Sequence, residues 1–255
     1  MAGTRHVYVG TSGWSLARSV APGSSPNLTG LERYAEYFNC VEINSTFYRL
    51  PRPATLERWR DSTPPEFRFA AKLPRTITHE AGLVQVGREV AEFCKLVMRL
   101  EPKLGPLLVQ LPPSLDFDAV NATRLFAQLT RAGVLQVVLE PRHPSWFCAQ
   151  AEALLTEHRV ARVAADPPRA AGALTPAGSR ELAYFRWHGS PRTYFSSYQP
   201  EAIHALALQI QAIAAAKPRP EVYCFFDNTA LGAAALNALS LEAELAMLGA
   251  GGHQG

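Results

Sequence analysis

No uninterrupted apolar run in the 255 residues approaches the roughly 20 needed to cross a bilayer as a helix, so a helical membrane protein is not expected. The first ten residues, Met1 to Gly10, hold no apolar segment with a small-residue cleavage site behind it, and no secretory signal is read there. Cysteine is scarce. Cys40, Cys94, Cys148 and Cys224 are widely scattered, without a C-x-x-C pair or nearby histidine spacing, so neither a structural zinc site nor a disulfide framework is indicated. They read as free thiols of a reducing cytoplasm. Charge of one sign is also lacking: 25 Lys+Arg against 22 Asp+Glu leave only +3, and no basic stripe speaks for nucleic acid as a partner. There is no G-x-G-x-x-G after the first strand, no P-loop and no G-x-S-x-G, so dinucleotide, nucleotide and serine-hydrolase readings lack their motifs.

What is present is a balance of 47% hydrophobic and 18% charged residues, enough to bury a sizeable core. At about 150 residues per domain the length permits one or two domains. With no linker and no internal repeat, the expectation is a single domain over 1–248, followed by a glycine-rich, frayed tail over 249–255.

Eight short apolar runs have strand composition: Val7 to Gly10, Cys40 to Ile43, Phe67 to Ala71, Leu107 to Leu111, Gln136 to Leu139, Ala161 to Ala164, Leu182 to Trp187 and Val222 to Phe226. Helical stripes lie between most of them. Leu31, Tyr34, Ala35 and Phe38 follow Thr29 and Glu32 at capping-box spacing. Further stripes run from Val86 to Leu100, from Ala122 to Leu129 ahead of Gly133, and from Ile203 to Ile213. Strands alternating with helices predict an α/β fold with a parallel sheet, and eight such units in this length predict a single (β/α)₈ barrel of TIM type.

In such a barrel the site is built at the carboxyl ends of the strands. Those ends carry Trp14; Glu42, Asn44 and Tyr48; Lys72; Gln110; Glu140, Arg142 and His143; Asp166; Arg186 and His188; and Asn228. Glu42 and Glu140 read as a pair of catalytic carboxylates on opposite faces of a substrate, with His188 assisting proton transfer and Asp166 as a further catalytic residue. Lys72, Arg142 and Arg186 read as a clamp for an anion. Trp14, Asn44, Tyr48, Gln110, His143 and Asn228 complete the expected substrate-binding set. The competing account makes the glutamates structural ion-pair partners of the arginines. A metal held by Glu42, Glu140, Asp166 and His188 is disfavoured by the positive charge crowded beside it, so neither metal nor cofactor is expected.

Several of these segments, Gly10-Thr11-Ser12-Gly13-Trp14, Val41 to Tyr48, Phe69 to Pro74, Gln110 to Ser114, Glu140 to Trp146 and His188-Gly189, together resemble the YecE-like family, a domain of unknown function (DUF72). The resemblance implies a TIM-type barrel and no particular reaction. Asp227-Asn228 stands where a pair of asparagines is usual, adding a negative charge to the expected mouth. Three function classes follow: a hydrolase or lyase working on a small anionic or polyhydroxylated substrate; a non-catalytic binder or sensor using the same pocket; and a nucleic-acid-processing enzyme, against which the small net charge speaks. Oligomeric state is not legible.

Overall fold

The computed structural model describes residues 6–17, 20, 25 and 27–251. Among them, ten strands and seven helices follow in the order β1 (Val7–Thr11), α1 (Gly30–Ala35), β2 (Cys40–Ile43), α2 (Pro53–Asp61), β3 (Arg68–Lys72), α3 (Gly87–Val97), β4 (Leu104–Gln110), α4 (Ala119–Arg131), β5 (Val137–Glu140), α5 (Ala149–Glu157), β6 (Val160–Arg162), β7 (Ala164–Asp166), β8 (Ala177–Gly178), β9 (Leu182–Trp187), α6 (Pro200–Ala214), β10 (Glu221–Phe226) and α7 (Ala233–Gly251). The capping box forms at the head of α1. The Glu32 N–H donates to Thr29 Oγ1 at 3.3 Å, and the Thr29 N–H donates to Glu32 Oε2 at 2.7 Å. Cys40, Cys94 and Cys224 are buried free thiols, and Cys148 is an exposed one. Among the described residues no helix is long and apolar enough to cross a membrane.

The strands make a mixed α/β fold of two sheets, in the orders β1-β10-β9-β7 and β2-β3-β4-β5-β6-β8. All their pairings are parallel except that of the two-residue β8 with β6. The expected closed ladder of eight strands is therefore not what forms, and the ladder breaks in two places. The sixth expected strand is divided at Val163: β6 pairs with β5, whereas β7 pairs with β9 in the other sheet. Between β1 and β2 the only ladder contact is a single bridge, Ser12 with Glu42, completed by the Gly13 N–H donating to the Glu42 carbonyl at 2.9 Å. A side chain occupies the rest of that seam. The Tyr34 hydroxyl accepts from the Thr11 N–H at 2.8 Å and donates to the Cys40 carbonyl at 3.0 Å, standing in for a backbone hydrogen bond. Gly10 permits the approach, because a Cβ there would fall on the Cys40 carbonyl.

Tyr34 is fully buried, so removing its hydroxyl strands a backbone donor and a backbone acceptor at once. At about 1–3 kcal/mol for each unsatisfied buried group, Tyr34→Phe should lower the unfolding free energy by about 2 kcal/mol or more. Urea titration measures this. An unchanged midpoint would mean that the strands re-pair across the seam unaided.

Three apolar clusters result from strand alternation. One face of the β1-containing sheet packs on α1, α6 and α7, with Val9, Phe185, Cys224 and Phe226 meeting Tyr34, Ile210 and Leu241. One face of the β2-containing sheet packs on α3, α4 and α5 through Val109, Leu139, Phe93 and Leu125. The third cluster contains strand and strand-linker residues alone, drawn from both sheets: Tyr8, Cys40, Ala70, Leu108, Val138, Val163, Ala165, Tyr184, Tyr223 and Phe225 among them. The two sheets thus face each other over a core into which no helix intrudes. Tyr8 stacks on Tyr223 at 4.6 Å and 12° within it. At the end of the chain Gly249 lies inside α7 rather than in a frayed tail, while residues 252–255 of the expected tail lie outside the described residues.

Candidate functional site

Side chains alternate along a strand, so a residue two places beyond an inner-core position points the same way. Cys40 leads to Glu42, Ala70 to Lys72, Leu108 to Gln110, Val138 to Glu140, Tyr184 to Arg186 and His188, and Phe225 to Asp227. Six strands therefore bring polar groups in phase to one end of the inner core.

Arg186, with no exposed surface, is the hub. Its Nε and Nη2 fork onto Glu42 at 2.9 and 2.7 Å, its Nη1 donates to Glu140 Oε2 at 2.6 Å, and its Nη2 also reaches Asp227 Oδ2 at 3.2 Å. Glu42, equally buried, receives in addition the Ser12 hydroxyl at 2.8 Å and the Tyr184 hydroxyl at 2.7 Å. The Tyr184 hydroxyl is held well above its usual pKa by burial and by the Glu42 charge. Glu140 accepts from Gln110 Nε2 at 2.8 Å and from Arg142 Nη2 at 3.1 Å. His188 lies between two carboxylates, its Nε2 2.9 Å from Glu140 and its Nδ1 3.0 Å from Asp227. Burial alone would raise the Glu140 carboxyl, but Arg186, His188 and Arg142 outweigh it and hold the group well below its ordinary range. Asp227 is lowered in the same way, burial being overcome by Arg186 and His188.

Two expectations are corrected by this geometry. The space between Glu42 and Glu140 is filled by the Arg186 guanidinium, so it does not open between the carboxylates for a substrate. Arg186 itself is engaged by three carboxylates inside the core and does not reach an anion in a cleft.

Above the network opens a cleft of about 570 Å³. Of the expected residues it is lined by Asn44, Tyr48, Lys72, Gln110 and Arg142, and it adds Arg75, His79, Tyr194 and Asp227. A π-helical turn, Thr76–Glu80, presents His79, whose pKa is lowered by burial and by Lys72, Arg75 and Arg142. Tyr194 sits at φ 71 and meets the His188 ring edge-on at 6.0 Å. That left-handed tyrosine is backbone strain beside the site. Lys72 is only 5% exposed, yet its ammonium has no hydrogen bond or ion pair among the described residues and rests 4.2 Å over the Phe47 ring. Burial and the Arg186 charge pull its pKa down to about 8, against the partial compensation of Glu42, Glu140 and Asp227. Among the described residues Arg142 Nε and Asn44 Oδ1 are likewise buried without partners. Nor does any of them donate to Asp227 Oδ1, since both side-chain contacts of the carboxylate end on Oδ2.

Three expected residues stand apart, and all three are out of phase with the inner face. Asp166 turns away and accepts the Tyr198 hydroxyl at 2.7 Å. His143 caps the turn Pro144–Trp146, bonded to Ser145 and placed 3.0 Å from Asp116. Asn228 is buried and ties Ser196 to Asn237, each at 2.8 Å, and α7 begins only at Ala233. Trp14 lines a second cleft and packs edge-on against Trp59 at 4.8 Å. Asp227 is placed at the mouth by the sequence reading but given no role there, although its phase with Phe225 marks it.

A family model described as "Protein of unknown function DUF72" matches residues 8–252. The chain is similar to the UPF0759 protein YecE of Escherichia coli K12, 38% identical over 141 residues that make up 55% of this chain and 50% of that one. It is also similar to the UPF0759 protein YunF of Bacillus subtilis, 29% identical over 147 residues, 55% of this chain and 52% of that one. The chain thus spans about half the length of the curated relatives it matches. The crystal structure of a DUF72 family protein from Thermotoga maritima aligns with a TM-score of 0.75 at 27% identity, covering 94% of this chain and 99% of that one. A DUF72 family protein from Enterococcus faecalis aligns with a TM-score of 0.76 at 21% identity, covering 94% and 97%. Matched from the first strand to the last helix, the chain belongs to the DUF72 family.

Proposed function

We propose that this protein is an acid–base enzyme that holds the anionic end of a small molecule against Arg142 and Arg75 and transfers a proton there through Lys72. The observation that carries this is Lys72 itself: an ammonium buried at a cost, without an ion-pair partner among the described residues, and opening onto a cleft. A structural lysine in such a place would be paired. A pKa of about 8 puts the group near working pH, where an acid–base catalyst is most effective. Neutral Nζ takes a proton from a carbon or hydroxyl beside the anionic group, and the resulting ammonium returns it. Asp227, ionised and with Oδ1 free, faces the same cleft as a second polar contact.

In this reading Glu42 and Arg186 position the machinery and do not touch substrate. His188 bridges two carboxylates, its Nδ1 lying 3.0 Å from Asp227 and its Nε2 2.9 Å from Glu140, and so holds Asp227 in place at the floor of the cleft. Proton transfer at the anionic end favours lyase-type chemistry over hydrolysis by paired carboxylates. We also read the two sheets as halves of one (β/α)₈ barrel, a reading supported by the parallel pairings and by the Ser12–Glu42 bridge.

The test requires no knowledge of the substrate. An anion beside Lys72 favours its charged form, so binding near pH 8 should be accompanied by uptake of up to about half a proton. Calorimetric titration with phosphate or sulfate in buffers of different ionisation heat measures this uptake. It should vanish in Lys72→Met, and binding should weaken at least tenfold in Arg142→Ala. Binding without proton uptake in the wild type would remove Lys72 from the reading.

A further inference from the structure

Beside the Lys72 cleft lies a second one, of about 660 Å³, and the two share Asn44 and Thr229 in their walls. Their chemistry differs. The first is lined by three cationic side chains, Lys72, Arg75 and Arg142, with Asp227 the one carboxylate, whereas the second has Arg33 alone as a charged residue and is otherwise walled by hydroxyls, Asn44, glycines, the Trp14 indole and the apolar Leu16, Ala234 and Ala235. Two acceptors stand near the junction, beside the Thr229 hydroxyl and the Asn44 amide nitrogen. The Ser12 hydroxyl donates to Glu42, so its oxygen can only accept from the cleft side, and Asn44 Oδ1 is a buried acceptor without a partner among the described residues. Acceptors repel an anion and receive the O–H of a hydroxyl. Gly13 and Gly232 add open floor, with nothing within 4 Å of where a Cβ would stand.

We infer that the second cleft holds the polyhydroxylated body of the substrate whose anionic end reaches Lys72, which makes the substrate class a sugar phosphate or a sugar acid. The inference rests on the anion site proposed above and extends it. Ser12 and Asn44 receive hydroxyl protons, and Trp14 offers the apolar face against which a sugar's C–H groups pack. Asn44, shared by both walls, marks where the body joins the charged end.

The test compares inorganic phosphate, glucose 6-phosphate, gluconate and glucose by calorimetric titration. At least one of the two hydroxylated anions should bind ten times more tightly than inorganic phosphate or more, and which one does so tells phosphate from carboxylate at the charged end. Glucose alone should bind more weakly than either. Gly30→Leu fills the second cleft from its wall, since a Cβ at Gly30 meets only the Trp14 ring edge at 3.7 Å. It should abolish the advantage while leaving inorganic phosphate binding unchanged, which also shows that the variant is folded. Ser45→Leu, on an exposed residue of the same wall, serves as the second variant. Equal affinities for phosphate and both hydroxylated anions, or an advantage that survives both substitutions, overturns this inference and leaves the anion site standing. Absence of binding by every anion overturns the anion site and this inference with it.

Discussion

Arg186→Gln should fail to accumulate as folded protein at neutral pH. The substitution removes the one cation that is donated to Glu42, Glu140 and Asp227 together, and none of these carboxylates has the exposure to rehydrate. Stripping a buried ion pair of one partner costs about 3–5 kcal/mol, and here three acids are left behind, against a total stability of about 5–15 kcal/mol for a domain. Arg186→Lys should not rescue it, because an ammonium cannot supply the fork that serves Glu42 and Glu140 at once. The pH dependence identifies the cause. In the wild type Glu140 and Asp227 have depressed folded-state values, so their stabilisation is complete above the ordinary carboxylate range and is lost as pH falls through the lowered values. In Arg186→Gln Glu140 keeps Arg142 and His188 and Asp227 keeps His188, but both lose their largest counter-charge, and burial then raises their folded values above those in the wild type. Whatever folded variant is recovered should therefore lose less stability than the wild type as the pH falls through the ordinary carboxylate range. Urea titrations from about pH 7 to about pH 3 should give the variant the shallower slope. Parallel slopes would mean that the network is not held by charge.

Lys72→Met should produce the opposite combination, a more stable protein that no longer binds an anion with proton uptake. Burial has lowered the lysine from its ordinary value of 10.5 to about 8, and the shift measures what the folded state loses by enclosing the charge. At about 1.4 kcal/mol per pKa unit the ceiling is about 3 kcal/mol, and loss of the contact over the Phe47 ring brings the expected gain to about 1–3 kcal/mol. For a protein of this size that is a rise in Tm of roughly 2–10 °C. The sign with pH is fixed by which state binds more protons. Between about 8 and 10.5 the unfolded chain keeps the lysine proton that the folded chain has released, so wild-type stability contains a component that rises with pH across this window. Below it the penalty is fully present. The Met variant lacks that component, so its advantage should shrink as the pH is raised from about 8. A variant that is less stable than the wild type at neutral pH would show that Lys72 has a counter-ion in solution and is structural.

Much of this arrangement is legible in the sequence, because parallel strands buried on both faces are written as unbroken apolar runs, and their polar residues cluster where the runs stop. The start of β4 was harder to read, since Gly105 and Pro106 look like turn residues. At Gly105 a Cβ would stand 3.3 Å from the Tyr223 hydroxyl, so the tyrosine would have to shift slightly for any larger residue. The division at Val163 leaves no trace in composition, as both halves of the run are apolar and only their partners differ. At the site, residue types were readable and neighbours were not. Counting in twos from the inner-core positions separates Glu42, Lys72, Gln110, Glu140, Arg186, His188 and Asp227 from Asp166, His143 and Asn228. Which of the in-phase residues lies deep and which faces the cleft depends on strand stagger, and that is set by pairing across the sheet rather than by the local chain.

The Tyr34 hydroxyl between β1 and β2 leaves those two strands coupled by a side chain and one bridge, where every other neighbouring pair in either sheet shares a ladder. Ser12 extends from one of these strands and Asn44 follows the other, so the second cleft straddles a loosely laced line in the strand framework. A molecule bound to both residues acts as a suture across that line. Local opening of the seam and departure of the ligand then become one thermodynamic event, and the exchange rate of the amides beside Tyr34 becomes a clock for residence time in the cleft.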